Sequence, residues 1–284
     1  MARKLLLRYN GGTADLSTGS TVTIWQDMNS DLDINRGIEA AREILAHSAR
    51  VAAFSGAGLS AESGLATFRD PDSDALWSRF DPTELASLEG FEADPRRVID
   101  WYNWRRSRYA AVAPNAAHRA LAAQTRMIQI TQNVDHLLEQ AGAAPESVYH
   151  LHGDLLHDRC HNPGCDYRER VDLDKPASLR GCPHCGEYLR PAVVWFGEQL
   201  PRDTWMRAER LCTEIDCLLV IGTSATVYPA AGLIDVARRL NSSVIVVDPN
   251  PGAAGHEADV HLAGPAARLL PALLEGFDLA SIAT

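Results

Sequence analysis

Long apolar runs are missing from this 284-residue chain. A membrane-spanning helix needs about 18 or more consecutive apolar residues, and no stretch of the sequence approaches that length. The N-terminal "KLLLRYN" contains three leucines, far fewer than the roughly 7–15 apolar residues at the centre of a secretory signal. We therefore expect neither a membrane span nor a secretory leader, and the predicted compartment is the cytoplasm.

An excess of basic residues is also missing, because 27 Lys and Arg stand against 37 Asp and Glu, for a net charge of -10. Nucleic-acid binders normally present a basic face, so no nucleic-acid partner is expected. The acidic balance tolerates or mildly attracts a cationic partner such as a lysine-bearing peptide. The length suits one large domain with a small insert, or two domains.

Cysteine is nearly absent outside one short segment, which argues against a disulfide framework. The clustered cysteines are Cys160, Cys165, Cys182 and Cys185. The turns "CHNPGC" and "CPHC" supply four thiolates that close a tetrahedral Zn²⁺ shell, so a structural zinc site is predicted. His161 and His184 are alternative ligands, and coincidental loop cysteines or a redox pair is the competing interpretation. Cys212 and Cys217 lie beside the apolar "CLLVIG" and are predicted to be core thiols.

Apolar strands and amphipathic helices alternate from Ile34 onward. Strands are predicted at "RVAAFSGAG", which enters a glycine-rich turn, and at "MIQITQN", "CLLVIGTS" and "SVIVVDPN", and helices at "INRGIEAAREILAHSA", "VDHLLEQAG" and "AAGLIDVARRL". This alternation predicts an α/β fold in which a Rossmann-like parallel sheet carries helices on both faces. The clusters "SGAG", "TQN" and "GTS" follow strands directly, where ligands usually bind in such sheets.

Two segments interrupt the alternation: residues 71–120, which are helical and rich in aromatics, and residues 157–190, which hold the clustered cysteines. They predict a smaller zinc-binding and helical module inserted into a main domain of residues 34–284. Residues 1–33 form an N-terminal extension that is either a hairpin or a poorly ordered segment.

The glycine-rich stretch "GAGLSAESGLATFRD", residues 56–70, begins like a dinucleotide fingerprint but does not complete it. Gly56 and Gly58 fit the opening of G-x-G-x-x-G, yet the next glycine is Gly64, which disfavours a hydride-transferring dehydrogenase. The two glycines let the backbone approach a pyrophosphate, to which the amides near Ala57, Ser60 and Ala61 are predicted to donate.

Six motifs in order resemble the sirtuin family of NAD-dependent protein deacylases over roughly residues 34–280. They are "GAGLSAESGLATFR", "TQNVDHLLEQAG", "HLHGD", "RPAVVWFGE", "GTSATVYPAA" and the cysteine pairs. Leu138 stands where the family often has histidine, and Ala66 and Thr67 replace its common Pro-Asp. Asp248 stands where the family frequently has asparagine at the adenosine ribose. The resemblance implies that residues 34–284 form a catalytic domain using zinc and consuming NAD as a co-substrate.

The resemblance also implies residue roles. Periodicity does not choose between His150 and His152, but the family pattern places the general base immediately before glycine and so selects His152. Asn133 and Asp135 are implied to hold the nicotinamide ribose, a water and the carboxamide. The remaining cofactor-binding residues implied by the resemblance are Gly56, Ala57, Gly58, Ser60, Ala61, Glu62, Thr67, Phe68, Arg69, Gln132, Gly222, Thr223, Ser224, Asp248 and Asn250.

The reaction implied by the family begins with attack of the acyl oxygen on C1′ of the nicotinamide ribose, which releases nicotinamide. His152 then activates a ribose hydroxyl, and the products are free lysine, nicotinamide and 2′-O-acyl-ADP-ribose. Acyl-lysine proteins or peptides are the implied partners. "VVWFGE" is predicted to form an extended edge that pairs with the substrate backbone, and Val194, Trp195 and Phe196 are predicted to line the acyl-lysine tunnel.

The acyl group is suggested by Tyr102 and Arg105, which lie three residues apart and therefore on one helical face. This Y-x-x-R spacing resembles the acyl-pocket pair of the desuccinylase branch of sirtuins. An arginine binds a terminal carboxylate bidentately and a tyrosine hydroxyl adds a hydrogen bond, so succinyl-lysine or malonyl-lysine is the expected substrate beside acetyl-lysine. ADP-ribosyl transfer, NAD hydrolysis and a non-enzymatic NAD-sensing zinc module remain the alternatives.

Overall fold

The computed structural model describes residues 31–65, 81–250, 252–256 and 258–277. Its helices are α1 (Asp31–Ala46), α2 (Gly58–Ala61), α3 (Pro82–Leu85), α4 (Leu88–Ala93), α5 (Pro95–Ala110), α6 (Ala116–Ala122), α7 (Leu137–Gln140), α8 (Arg202–Glu214), α9 (Gly232–Arg239), α10 (Gly252–His256) and α11 (Ala266–Leu274). Its strands are β1 (Val51–Ser55), β2 (Ile128–Thr131), β3 (Val148–His150), β4 (Gly153–Cys160), β5 (Arg168–Arg170), β6 (Leu189–Val193), β7 (Cys217–Ile221), β8 (Ser243–Val247) and β9 (Val260–Leu262). Residues 1–30 of the predicted extension, together with Ala66, Thr67, Phe68 and Arg69, lie outside the described residues.

Six strands form the main sheet in the order β3-β2-β1-β7-β8-β9, and every neighbouring pair is parallel. Alternate residues of a strand point to opposite faces. Ala53 and Leu219 accordingly pack in one core with α1, α6 and α11, while Phe54 and Val220 pack in another with α8 and α9. Both faces of the sheet are therefore covered, and the predicted Rossmann-like fold is confirmed.

The helices depart from the predicted boundaries at two places. Helix α1 begins at Asp31, three residues before the predicted start. Helix α7 covers only four residues of the predicted "VDHLLEQAG". At its start, the Asp135 carboxylate accepts a hydrogen bond from the Leu137 N–H at 3.1 Å. At its end, Gly142 has φ of +107°, a conformation that glycine adopts at little cost and that stops the helix.

A smaller layer contains the antiparallel sheet β5-β4-β6 and the aromatic-rich helices α4 and α5. Phe91, Trp101 and Tyr102 pack there against Trp195, which follows β6. Helix α6 begins within the predicted insert of residues 71–120 and extends two residues beyond it, but it packs against α11 on the main sheet. The aromatic layer therefore ends before α6, because the apolar residues of that helix face the main core.

Both remaining cysteines are fully buried. Cys212 packs in the core on the α8 side of the sheet and Cys217 in the core on the opposite side. Burial raises the pKa of each thiol to about 12, so both stay protonated. Their prediction as core thiols is confirmed.

Within the part of the chain that the structure describes, no helix combines the length and the apolar character needed to cross a membrane.

Candidate functional site

A cavity of about 1260 Å³ lies at the carboxyl ends of the central strands, between the main sheet and the smaller layer. Small-molecule pockets usually measure roughly 300–1,000 Å³, so this cavity can hold a dinucleotide together with a second substrate chain. Every predicted cofactor-binding residue in the described part of the chain lines this cavity. The predicted general base and the five predicted substrate-binding residues line it as well. These residues are Gly56, Ala57, Gly58, Ser60, Ala61, Glu62, Tyr102, Arg105, Gln132, Asn133, Asp135, His152, Val194, Trp195, Phe196, Gly222, Thr223, Ser224, Asp248 and Asn250.

The glycines after β1 allow two loops of the cavity wall to pack closely. A Cβ atom at Gly56 would lie 2.8 Å from the Gly222 carbonyl oxygen, and one at Gly58 would lie 2.6 Å from the Gly222 Cα. The N–H of Gly58 donates to the same carbonyl at 2.9 Å. Close approach between the loops after β1 and β7 therefore requires glycine at these positions, whatever ligand they bind.

The amide of Ser60 is not available to a phosphate. Its N–H donates to the Ala57 carbonyl at 3.0 Å inside the short helix α2, so the prediction that it donates to a pyrophosphate is wrong. Glu62 also has a local partner, since its Oε2 accepts from the Ala267 N–H at 2.7 Å in the first turn of α11. One carboxylate oxygen of Glu62 thus stabilises the fold at the cavity rim.

The Ser60 hydroxyl joins three neighbours from different parts of the chain. It donates to Asp135 Oδ2 at 2.9 Å and accepts from Asn133 Nδ2 at 3.2 Å. It also lies 3.3 Å from Nε2 of the fully buried His118. Because the Asp135 carboxylate is held by Ser60 and by the N–H of Leu137, it orients the loop after β2.

His118 completes this network as a neutral donor. Its Nδ1 accepts from the Asn115 N–H at 3.2 Å, so the ring proton resides on Nε2, which donates to Ser60. Burial, reinforced by the neighbouring Arg119, lowers the pKa of His118 to about 4. His118 therefore stays uncharged at neutral pH. It donates a hydrogen bond to Ser60 and does not form an ion pair with the Asp135 carboxylate.

His152 has the geometry of a general base. Its Nδ1 lies 3.0 Å from the Gln132 carbonyl oxygen, and because a carbonyl only accepts, Nδ1 must carry the proton and donate it. The lone pair is then on Nε2, where a proton can be taken. Burial lowers the pKa of His152 below its ordinary 6.5, which keeps the ring neutral at physiological pH.

His150 is instead held as a cation. Its Nδ1 lies 3.0 Å from the Asn133 carbonyl oxygen and its Nε2 lies 2.7 Å from Glu139 Oε1. Both partners only accept, so both ring nitrogens carry protons. Burial opposes the charge, but the bond to Glu139 outweighs it and raises the pKa of His150. The two histidines of "HLHGD" therefore differ: one is charged and supports Asn133, and the other is neutral.

Asp248 directly follows β8 and lines the same cavity. Its Oδ1 accepts from the Asn250 N–H at 2.8 Å, and burial raises the pKa of its carboxyl group. The other oxygen is suited to accept from a ribose hydroxyl. Across the cavity, Gln132 Nε2 donates to Thr223 Oγ1 at 2.9 Å, which ties the loops after β2 and β7 together.

The predicted acyl-pocket pair, Tyr102 and Arg105, lies on helix α5 and lines the same cavity. The Tyr102 hydroxyl accepts a hydrogen bond from the indole Nε1–H of Trp195 at 2.9 Å. The Arg105 guanidinium lies over the Trp101 ring, 5.0 Å from its centroid, and 5.9 Å from the centroid of Tyr102. Burial raises the pKa of Tyr102 despite the neighbouring Arg105, so its hydroxyl keeps its proton.

The predicted extended edge at "VVWFGE" ends at Val193. The N–H groups of Val194, Trp195 and Phe196 donate to His152 O at 2.8 Å, Glu198 Oε2 at 2.8 Å and Ala86 O at 2.8 Å, respectively. These three donors are used within the chain, and the pairing of this segment with a substrate backbone stays a prediction. The three side chains nevertheless line the cavity as predicted.

The four clustered cysteines converge at one end of the three-stranded sheet. Their sulfur atoms all lie within 4.8 Å of one another, with Cys160 and Cys185 at 3.4 Å and Cys165 and Cys182 at 3.7 Å. A tetrahedral Zn²⁺ with ~2.3 Å bonds has sulfurs ~3.8 Å apart. The arrangement fits a closed, structural zinc site that leaves no position for a substrate.

A comparison with protein-family models assigns the chain to a family. The model described as the Sir2 family matches residues 56–229, which is more than half of the chain. The chain belongs to the Sir2 family. The match spans the glycine loop, His152 and the cysteine cluster, and the sirtuin resemblance of the sequence is confirmed.

Relatives and solved structures of the Sir2 family agree with this assignment. The NAD-dependent protein deacylase of Mycobacterium tuberculosis is 46% identical over 232 residues, covering 80% of this chain and 97% of its own. The NAD-dependent protein deacylase 1 of Pseudomonas aeruginosa is 43% identical over 247 residues, covering 84% and 98%. A Sir2 homologue solved as a complex with NAD superposes with a TM-score of 0.78 at 39% identity, covering 86% and 94%. This Sir2 protein is, like these relatives, an NAD-dependent protein deacylase.

Two supporting pairs of this Sir2 site were not predicted from the sequence. One is His118 with Ser60, and the other is Glu139 with His150. The first had a visible signal, because Asn115 followed by His118 is the spacing of a helix capping box, and Asn115 does cap α6. The second pair had no signal in the sequence, because only the fold brings Glu139 beside His150 at the end of β3.

Glu139→Gln is expected to destabilise the Sir2 fold by roughly 1.5–3 kcal/mol near pH 5.5, the usual contribution of a hydrogen bond to a charged group. Burial opposes the shift, but bonds from His136 and His150 lower the pKa of Glu139 to about 2. Its contribution is therefore present above pH 4.5 and lost as the pH falls. The raised pKa of His150 means that its contribution is full below 6.5 and lost as the pH rises through that pKa.

Urea unfolding between pH 5 and pH 9 measures this difference, with the exposed Glu43→Gln as the control. The difference from the wild type should be largest between pH 4.5 and 6.5 and should shrink toward pH 9. A loss of stability that is constant over the whole range would contradict the charged pair.

Proposed function

We propose that this Sir2 protein removes succinyl and malonyl groups, as well as acetyl groups, from protein lysines. The observation that carries the proposal is that Tyr102 and Arg105 line the same cavity as His152. A lysine side chain whose acyl carbonyl lies near the general base would extend its acyl tail toward this pair. In the proposed reaction, acyl-lysine, NAD and one water give nicotinamide, 2′-O-acyl-ADP-ribose and free lysine.

The chain's own residues supply binding and proton transfer in this proposal. His152 takes a ribose hydroxyl proton on Nε2 while its Nδ1–H remains on the Gln132 carbonyl. Asn133 and Asp135 hold the nicotinamide end of NAD, with Ser60 fixing both side chains. NAD, when bound, supplies the electrophilic C1′ carbon that accepts the acyl oxygen as nicotinamide departs.

The preference for an acidic acyl group rests on charge. The Arg105 fork can accept a terminal carboxylate on two N–H groups, and Tyr102 can add its hydroxyl proton. An acetyl group has no carboxylate and gains nothing from either contact. The aromatic ring of Trp101 stabilises the Arg105 cation by a cation–π contact.

Replacement of Arg105 by methionine tests the proposal. We expect Arg105→Met to lower kcat/KM for a succinyl-lysine peptide by about 100-fold, the loss of two charge-assisted hydrogen bonds. The value for an acetyl-lysine peptide should change by less than about threefold, because methionine keeps most of the apolar stem. Peptide and nucleotide products are weighed by mass spectrometry.

Arg96→Met is the matched control, since Arg96 is an exposed arginine on the same helix and outside the cavity. If Arg105→Met lost its activity on the succinyl-lysine and acetyl-lysine peptides to the same extent, the proposed preference for acidic acyl groups would be wrong. ADP-ribosylated peptide as the main product, or free ADP-ribose without deacylated peptide, would replace the proposal with a transferase or an NAD hydrolase. A cytoplasmic location and peptide or protein substrates are part of this proposal.

A further inference from the structure

The indole N–H of Trp195 meets the hydroxyl of Tyr102 in the wall of the acyl pocket. The two atoms lie 2.9 Å apart, and both side chains are almost completely buried. An indole N–H can only donate, so the Tyr102 oxygen must be the acceptor in this bond. The hydroxyl proton of Tyr102 is therefore not used toward Trp195 and is left to donate to another group.

Trp195 is held in this orientation from three sides. The Arg190 guanidinium lies over its ring, 3.9 Å from the centroid, and the Phe91 ring packs at 5.3 Å with a tilt of 44°. Its backbone N–H donates to Glu198 Oε2 at 2.8 Å, and the same carboxylate pairs with Arg190. The direction of the indole N–H is thus set by the fold before any substrate binds.

We infer that Trp195 is a specificity-determining residue of the acyl pocket, because its N–H occupies a lone pair of the Tyr102 hydroxyl and turns the hydroxyl proton toward an acyl carboxylate. This inference rests on the proposed removal of acidic acyl groups. A carboxylate needs donors, and a hydroxyl free to rotate would offer a lone pair as readily as a proton. Trp195 removes that ambiguity without touching the carboxylate itself.

The test replaces the N–H while keeping the ring. In Trp195→Phe we expect kcat/KM for a succinyl-lysine peptide to fall about fivefold to tenfold, the effect of one neutral hydrogen bond. The value for an acetyl-lysine peptide should fall by a smaller factor, because only the succinyl tail carries a carboxylate that meets the Tyr102 hydroxyl, so the ratio of the two values is the readout. Substitution of Trp195 by 3-benzothienylalanine, which keeps the bicyclic shape and lacks the N–H, should give the same selective loss even where phenylalanine disturbs packing.

A double-mutant cycle with Tyr102→Phe isolates the contact. In the Tyr102→Phe background, loss of the indole N–H should have no further effect on succinyl-lysine. Trp205→Phe, in α8 away from the cavity, is the control for loss of a tryptophan and should behave as the wild type.

The outcomes separate this inference from the proposed function. A wild-type protein that removes succinyl groups, combined with an equal loss on both substrates in both Trp195 variants, overturns the role of Trp195 alone. The same role is overturned if the Trp195 effect persists unchanged in the Tyr102→Phe background. A wild-type protein without desuccinylase activity overturns both.

Discussion

His152→Ala is expected to lower kcat for deacylation by about 10²–10⁴-fold, the usual contribution of a positioned general base. The Nδ1–H of His152 is fixed on the Gln132 carbonyl, so Nε2 is the atom that takes the proton. In the proposed reaction the base acts after nicotinamide has left. Exchange of labelled nicotinamide into NAD in the presence of acyl-peptide should therefore survive the substitution while deacylated peptide disappears.

The pH dependence of the activity tests the proposed role of His152 independently. Burial lowers the pKa of His152 below 6.5, and the base works only when neutral, so activity is lost as the pH falls through this lowered pKa. The acid limb of kcat/KM should therefore lie below pH 6.5. His47→Ala, at an exposed position directly after α1, should leave rate and profile unchanged. An acid limb at or above pH 6.5, or nicotinamide exchange lost together with deacylation, would contradict this role.

The four central strands of the main sheet, β1, β2, β7 and β8, and the cysteine cluster were predictable because their signals are local. Cys217–Ile221 is a continuous apolar run, as expected of a strand covered on both faces. The four cysteines come in two short turns, so their chemistry can be read without knowing the fold. The likeness to a known family then placed His152 and the glycine loop in a common site.

Other parts of the site depend on contacts that sequence spacing does not encode. Helix α6 has the pattern of any short amphipathic helix, and only packing against α11 assigns it to the main sheet. The segment after β6 looks like a strand edge, but Glu198 folds back onto the Trp195 N–H and ends it. The bond from Trp195 to Tyr102 joins residues 93 positions apart, and no pattern on either segment predicts it.

The second prediction with a large expected effect concerns the cysteine cluster. The cluster joins the ends of β4 and β6, the two strands that border the proposed acyl pocket. Cys160 ends β4 opposite Leu189, the first residue of β6. The same two strands lead to His152 at one end of β4 and to Trp195 just beyond β6. Loss of the zinc is therefore expected to loosen both His152, the proposed base, and Trp195 in the wall of the proposed acyl pocket.

Cys182→Ser is expected to abolish stoichiometric zinc binding and to unfold the three-stranded sheet and its loops. Structural zinc contributes roughly 10–16 kcal/mol of apparent binding energy, which matches or exceeds the roughly 5–15 kcal/mol by which a whole domain is stable. Zinc per chain is measured by elemental analysis, and cleavage within residues 157–190 by limited proteolysis. Deacylation should fall below detection, because His152 and Trp195 lose their supporting strands.

Cys212→Ala provides the matched control, since Cys212 is a buried thiol on α8 that packs in the core of the main sheet and is not part of the cysteine cluster. This variant should keep one zinc per chain and its resistance to protease, with a stability loss of about 1 kcal/mol from the missing sulfur. If Cys182→Ser instead kept its protease resistance and activity without zinc, the metal would not be what holds β4 to β6. The apolar contacts of Leu155, Leu156 and Val193 with the aromatic helices would then have to be sufficient for that purpose.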